Sequence, residues 1–191
     1  MTDRTPPLPK TSAEDRMPGD RSRDEIIERM IRVDHAGEYG AVRIYAGQQA
    51  VLRDGKAAGL IRDMGAKEAE HLARFDRIVA DRDVRPTALM PLWHVAGFAL
   101  GAATALLGEK AAMACTAAVE EVIDEHYAGQ AARLGRDEAE LRATIEEFRA
   151  DEAAHREEAM QAGAEQAPGY EVLSTAIKAG SRLAIWLSTR I

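Results

Sequence analysis

Two Glu-x-x-His units, Glu68–His71 and Glu152–His155, constrain this chain of 191 residues more than any other feature. On a helix, residues three apart share a face, with about 5–6 Å between Cβ atoms. Each unit therefore presents a carboxylate beside an imidazole. Each is preceded by one more glutamate: Glu38 lies 30 positions before Glu68, and Glu120 lies 32 before Glu152. The first interval is centred near Arg53, beside the turn dipeptide Asp54-Gly55, and the second at Arg136, between Gly135 and Asp137. A helix that climbs about 15 residues at ~1.5 Å each and then reverses returns to the same height. Each half thus predicts an antiparallel hairpin with a glutamate facing a Glu-x-x-His unit. Two such hairpins would gather Glu38, Glu68, His71, Glu120, Glu152 and His155 around one point. Four carboxylates and two imidazoles on four inward-facing helices form the donor set of a dinuclear iron or manganese centre.

A single Glu-x-x-His is ordinary in a glutamate-rich chain and usually describes surface residues. Two units, each centred on a turn with a partner glutamate, are not ordinary. Four carboxylates buried without a cation would be very costly. Oxygen-rich ligation with two imidazoles suits iron or manganese better than zinc.

The rest of the pattern is helical. Ile26, Ile27, Met30, Val33, Ala41 and Ile44 recur at helical spacing from about Asp24 to Leu52. Further helices are expected over about Ala57–Val79, Lys110–Arg133 and Glu138–Ala162, the last opened by a capping box at Asp137–Glu140. The final segment, Tyr170–Ile191, reads as an amphipathic helix. Pro86–Gly108 carries no charged residue. It is long enough to span a bilayer, but one crossing would leave Glu38, Glu68 and His71 on one side and the other three donors on the opposite side. This segment is therefore expected to lie in one leaflet or against the protein, with Trp93, Trp186 and the basic residues of the last helix at an interface. Residues 1–22 are polar and Pro-rich, and are expected to be a disordered tail, with one domain over 23–191.

A net charge of −7 argues against a dedicated nucleic-acid binder. The single cysteine, Cys115, excludes an internal disulfide framework or a thiolate-held iron centre. The N-terminus reads neither as a secretory signal nor as a transit peptide. Asp151 is a candidate partner for the free N–H of His71, and Asp34, one turn before Glu38, for that of His155. His126 and Tyr127 fall two turns beyond Glu120, near the same face, as candidates for proton relay or substrate contact. A core His/Tyr pair is the plain alternative. His35 and His94 read as structural or interfacial.

Several segments together are similar to the demethoxyubiquinone hydroxylases of ubiquinone biosynthesis, over about residues 30–191. They are Asp34-His-Ala-Gly-Glu-Tyr-Gly-Ala41, Arg43-Ile-Tyr-Ala-Gly47, Arg85-Pro-Thr-Ala-Leu-Met-Pro-Leu-Trp93, Gly101-Ala-Ala-Thr-Ala-Leu-Leu-Gly108, Ala112-Met-Ala-Cys-Thr116 and Ala118-Val-Glu-Glu121. The family's metal ligands fall on the same six residues that spacing selects. The resemblance implies an all-α, ferritin-like four-helix bundle with two additional apolar or amphipathic helices that contact a membrane. It implies a di-iron monooxygenase (two iron ions, Fe2+/Fe3+) that uses O2 to hydroxylate the ring of a polyprenyl quinol, a demethoxyubiquinol. It also implies peripheral attachment to the membrane, here the cytoplasmic face of the cell membrane. Some members work with a lipid-binding accessory protein, and self-association is open. The chain has no flavin, nicotinamide or iron–sulfur fingerprint, so electrons are expected from outside it, from an external electron donor or from the quinol itself. The rival readings are an iron-oxidising or storage bundle, a ferritin-like oxygenase for another hydrophobic substrate, and a metal-free helical membrane adaptor.

Overall fold

The computed structural model describes residues 19–191, so the expected tail at 1–22 falls largely outside the described residues. Among these, every regular element is helical. Helix α1 spans Arg23–Val51, α2 Lys56–Asp81, α3 Met90–Leu106, α4 Glu109–Ala131, α5 Ala139–Gln161 and α6 Tyr170–Ser188. Single 3₁₀ turns at Arg136–Glu138 and Ala164–Gln166 precede α5 and α6.

Helix α1 starts where Ser22 and Glu25 form a reciprocal capping box: the Glu25 amide donates to Ser22 Oγ, and the Ser22 amide to Glu25 Oε2. That satisfies two of the backbone donors a helix start leaves free. The α1–α2 reversal falls on Asp54-Gly55, where Gly55 takes φ 104°, a conformation that favours glycine. The box expected at Asp137–Glu140 does not form. Helix α5 begins at Ala139 without a side-chain cap, because Asp137 is instead paired with Arg23 at 2.6 Å.

Helices α1 and α2 pair closely, as do α4 and α5, whereas few Cα atoms of one hairpin come within 8 Å of the other. The space between the hairpins is filled by side chains in three levels. At one end Tyr45, Ile61, Met64, Ala112, Met113, Ala117 and Ala159 form an apolar cluster. At the other end Ile27, Ile31, Phe75, Tyr127, Leu141, Ile145 and Phe148 form a second. The six candidate ligands lie in the level between.

The two remaining helices cover the α1/α4 side. Helix α3 packs most extensively on α1, and it does so because both carry glycine at the crossing. A Cβ on Gly101 would overlap the Ile44 carbonyl oxygen, and one on Gly47 the Phe98 carbonyl oxygen. Helix α6 packs on α4 and is anchored by Lys178–Glu121 at 2.5 Å and Arg182–Glu125 at 2.9 Å. Leu92, Val95, Phe98 and Leu106 on α3, and Val172, Leu183 and Trp186 on α6, remain exposed. No helix among the described residues is long and apolar enough to cross a membrane.

Candidate metal centre

Each long helix contributes one donor position and each return helix a pair. Glu38 comes from α1, Glu68 and His71 from α2, Glu120 from α4, and Glu152 and His155 from α5. All six are buried, none more than 7 % exposed. They fall into two overlapping groups whose donor atoms lie within 4.8 Å of one another: Glu38, Glu68, His71 and Glu152; and Glu68, Glu120, Glu152 and His155. Glu68 and Glu152 belong to both. His71 Nδ1 lies 3.5 Å from Glu38 and 3.3 Å from Glu152, and His155 Nδ1 lies 3.1 Å from Glu68.

The chemistry of this cluster is compatible with a cation site. Both oxygens of Glu68 and of Glu152, one oxygen each of Glu38 and Glu120, and Nδ1 of both histidines are buried without a hydrogen-bond partner. Buried polar atoms are ordinarily satisfied, so eight unsatisfied donor atoms pointing at one volume call for a cation there. Protons can hold the charge in its stead. Burial raises Glu38, Glu68 and Glu120 above the usual carboxylate range, with Glu152 next to them adding to the rise. Burial also works on Glu152, but contacts with His155, His71 and Glu120 outweigh it and hold that carboxyl at about 2. For His71, burial opposes the charge, yet Glu152, Glu38 and Glu68 push it up to about 11. His155 is raised in the same way against the pull of burial, by Glu152 and Glu120.

The surroundings fix the donors. His71 donates from Nε2 to Asp151 at 3.0 Å, turning Nδ1 inward, and Asp151 is itself 3.3 Å from Lys67. Phe148 stacks on the His71 ring at 3.8 Å between centroids. Tyr45 donates to Glu120 at 2.7 Å, and Tyr127 donates to Glu38. Asp34 does not serve His155. It accepts from Gln130 at 2.7 Å and lies 3.2 Å from His126 Nε2, because antiparallel α4 sets those two residues opposite the first turns of α1. His126 is thereby placed against Asp34 and not among the donors. His35 pairs with Asp76 at 2.9 Å, and His94 accepts from Tyr39 at 2.6 Å.

Sequence reasoning missed Tyr45, Gln48, Gln130 and Phe148. The signal for the first three was present as an internal repeat. Glu120 follows Glu38 by 82 positions, as Tyr127 follows Tyr45 and Gln130 follows Gln48.

Beside the donor level is a largely apolar cavity of about 340 Å³, lined by α1, α3, α4 and α6. Its walls include Gly37 and Ala41, which bracket Glu38, and Val119 and Ile123, which bracket Glu120. Trp93 of α3 and Ser188 of α6 meet at its edge through a 2.9 Å hydrogen bond.

Residues 25–188 match the family described as ubiquinone biosynthesis protein COQ7. The chain is 61 % identical over 183 residues to the 3-demethoxyubiquinol 3-hydroxylase of Rhodospirillum rubrum, covering 95 % of this chain and 86 % of the relative. It is 50 % identical over 169 residues to the human mitochondrial NADPH-dependent 3-demethoxyubiquinone 3-hydroxylase, covering 86 % and 78 %. It is 40 % identical over 183 residues to the mitochondrial 5-demethoxyubiquinone hydroxylase of Saccharomyces cerevisiae, covering 87 % and 78 %.

Proposed function

Because the chain belongs to the COQ7 family of ubiquinone biosynthesis proteins, we propose that it is a 3-demethoxyubiquinol 3-hydroxylase that works at a di-iron centre. The observation that carries this reading is the convergence of six buried donors, eight of whose atoms have no other partner. Glu68 and Glu152, common to both groups of donors, would help to hold both ions. Glu38 with His71, and Glu120 with His155, would each complete one. Two iron ions held there would supply O2 binding and the redox chemistry of hydroxylation.

The chain's own residues do the rest. The substrate is a quinol ring with one open carbon and a polyprenyl tail. The ring enters the cavity between α1, α3, α4 and α6, whose lining residues Ala41 and Ile123 lie within one turn of Glu38 and Glu120. Apolar walls exclude water from the reacting carbon. The tail leaves between α3 and α6, whose exposed Phe98, Leu183 and Trp186 rest on the membrane surface. Peripheral attachment spares the tail from water, a cost of about 0.8 kcal/mol per CH₂. Inserting one oxygen atom and reducing the other to water consumes two electrons and two protons. The electrons come from an external donor, a reading supported by the NADPH dependence in the mitochondrial relatives' names.

Iron-loaded protein supplied with demethoxyubiquinol, O2 and a reductant should give a product heavier by one oxygen atom, with the label of ¹⁸O₂ in the new hydroxyl. Unlabelled or unchanged substrate under those conditions would refute the assignment.

A further inference from the structure

The 82-residue repeat extends beyond the ligands. Residues 34, 38, 45 and 48 of α1 are Asp, Glu, Tyr and Gln, and residues 116, 120, 127 and 130 of α4 are Thr, Glu, Tyr and Gln. The contacts across the two helices are reciprocal. Tyr45 donates to Glu120 and Tyr127 to Glu38. Gln48 donates to the Ala112 carbonyl at 3.1 Å and lies 3.4 Å from Thr116 Oγ1, while Gln130 donates to Asp34. Both tyrosines and both glutamines are buried.

Helix geometry explains the spacing. Seven residues are close to two turns, so each tyrosine lies on its own glutamate's face about 10 Å further along. Side chains lean towards the helix N-terminus, so each phenol tilts back towards the donor level. Because α1 and α4 are antiparallel, Tyr45 leans in from one apolar cluster and Tyr127 from the other. Each then reaches the glutamate of the opposite hairpin, not its own.

We propose that Tyr45 and Tyr127 are crossed positioning residues, each hairpin's tyrosine holding the other hairpin's terminal carboxylate in its metal-binding pose. The inference rests on the di-metal reading above and adds an assignment by site. Tyr127, through Glu38, supports the ion held with His71; Tyr45, through Glu120, supports the ion held with His155. Gln48 and Gln130 lock the two helices one turn beyond each phenol. Loss of a hydrogen-bonding group behind a metal ligand typically costs about 10- to 100-fold in affinity, and here each loss should fall on one ion only.

The experiment is a Co²⁺ titration against a competing chelator, followed by its visible absorption, with thermal melting of each metal-free variant as a fold control. On a His155→Ala background one ion remains. Adding Tyr127→Phe should weaken it by about 10- to 100-fold and alter its spectrum, whereas adding Tyr45→Phe should leave both unchanged. On a His71→Ala background the pattern should invert. Either tyrosine acting on both ions equally, or neither acting on any, would overturn the proposal. If a phenylalanine variant does not fold, 3-fluorotyrosine at position 45 or 127 keeps the shape and changes only the acidity of the phenol. A Co²⁺ spectrum and affinity unmoved by it would count against the crossed assignment. Failure of the unsubstituted protein to bind two Co²⁺ would instead sink the di-metal reading itself.

Discussion

Stripped of metal, this protein should lose stability as pH rises from 6 to 8, and regain it when metal is restored. One contributor is His71. Its imidazole titrates near 6.5 in the unfolded chain; in the fold, burial opposes the charge but Glu152, Glu38 and Glu68 push it up to about 11. A folded-state value above the unfolded one means stability that is fully present below 6.5 and drains as pH climbs towards 11. At pH 8 the unfolded imidazole has released its proton and the folded one has not, a loss of about 2 kcal/mol. His155, Glu38, Glu68 and Glu120 are also raised and act in the same direction, the glutamates from the carboxylate range upward. Glu152, held at about 2, is ionised in both states over this interval and adds no slope. For a chain of this size 1 kcal/mol moves the melting temperature by about 2–4 °C, so His71 alone should lower it by about 4–8 °C.

The assay is calorimetric melting with chelator at pH 6, 7 and 8, repeated with saturating Mn²⁺, which avoids oxidation chemistry. Metal must displace the cluster's protons, so its binding strengthens with pH and the loaded protein should show the opposite trend. In His71→Gln the metal-free loss of stability between pH 6 and 8 should shrink by about 2 kcal/mol. A metal-free melting temperature that is flat or rising, or a slope indifferent to His71→Gln, would refute the reasoning.

Glu152→Ala removes a carboxylate common to both groups of donors; iron content by elemental analysis should fall sharply and hydroxylation should cease, and near-normal iron would contradict the ligand assignment. Leu183→Glu with Trp186→Glu should reduce flotation with liposomes without changing metal content, whereas unchanged flotation would exclude α6 from the membrane contact. Gly101→Ala should destabilise by about 1–3 kcal/mol in urea melts through overpacking, since its Cβ would meet the Ile44 backbone. Gly129→Ala, with nothing within 4 Å, should instead be neutral or stabilise by up to about 1 kcal/mol.

The hairpins and the six donors were legible because helical period and turn chemistry are local, and the antiparallel return follows from counting residues. What was not legible depended on competition between distant groups. Asp137 and Glu140 have the spacing of a capping box, but Arg23, more than a hundred residues earlier in the chain, takes the Asp137 carboxylate. Ser22 and Glu25, which do form a box, stand at the edge of a polar stretch that composition assigns to the tail. Asp34, one turn before Glu38, is by sequence a candidate partner for His155, whereas the packing of α4 brings Gln130 and His126 to it. Tyr45 and Gln48 are unremarkable by type, and only their recurrence 82 positions later marks them.

That recurrence also shows where the two halves diverge. At positions 34 and 116 the halves carry Asp and Thr, and at 67 and 151 Lys and Asp. The second difference gives His71 a carboxylate partner, with Lys67 beside it, on the α2/α5 side, where Asp151 and Lys67 reach solvent. On the opposite side, the cavity that α3 and α6 form over α1 and α4 is lined mostly by apolar residues. A centre placed between these faces has a mostly apolar cavity on one side and Asp151 with Lys67 on the other. Under the proposed function, the quinol must therefore approach past Glu38 and Glu120, and the hydrated face lies behind the histidines. The near-symmetric repeat builds the six-donor frame, and under the proposed function the unmatched Lys67 and Asp151 mark the face away from the cavity that takes the substrate.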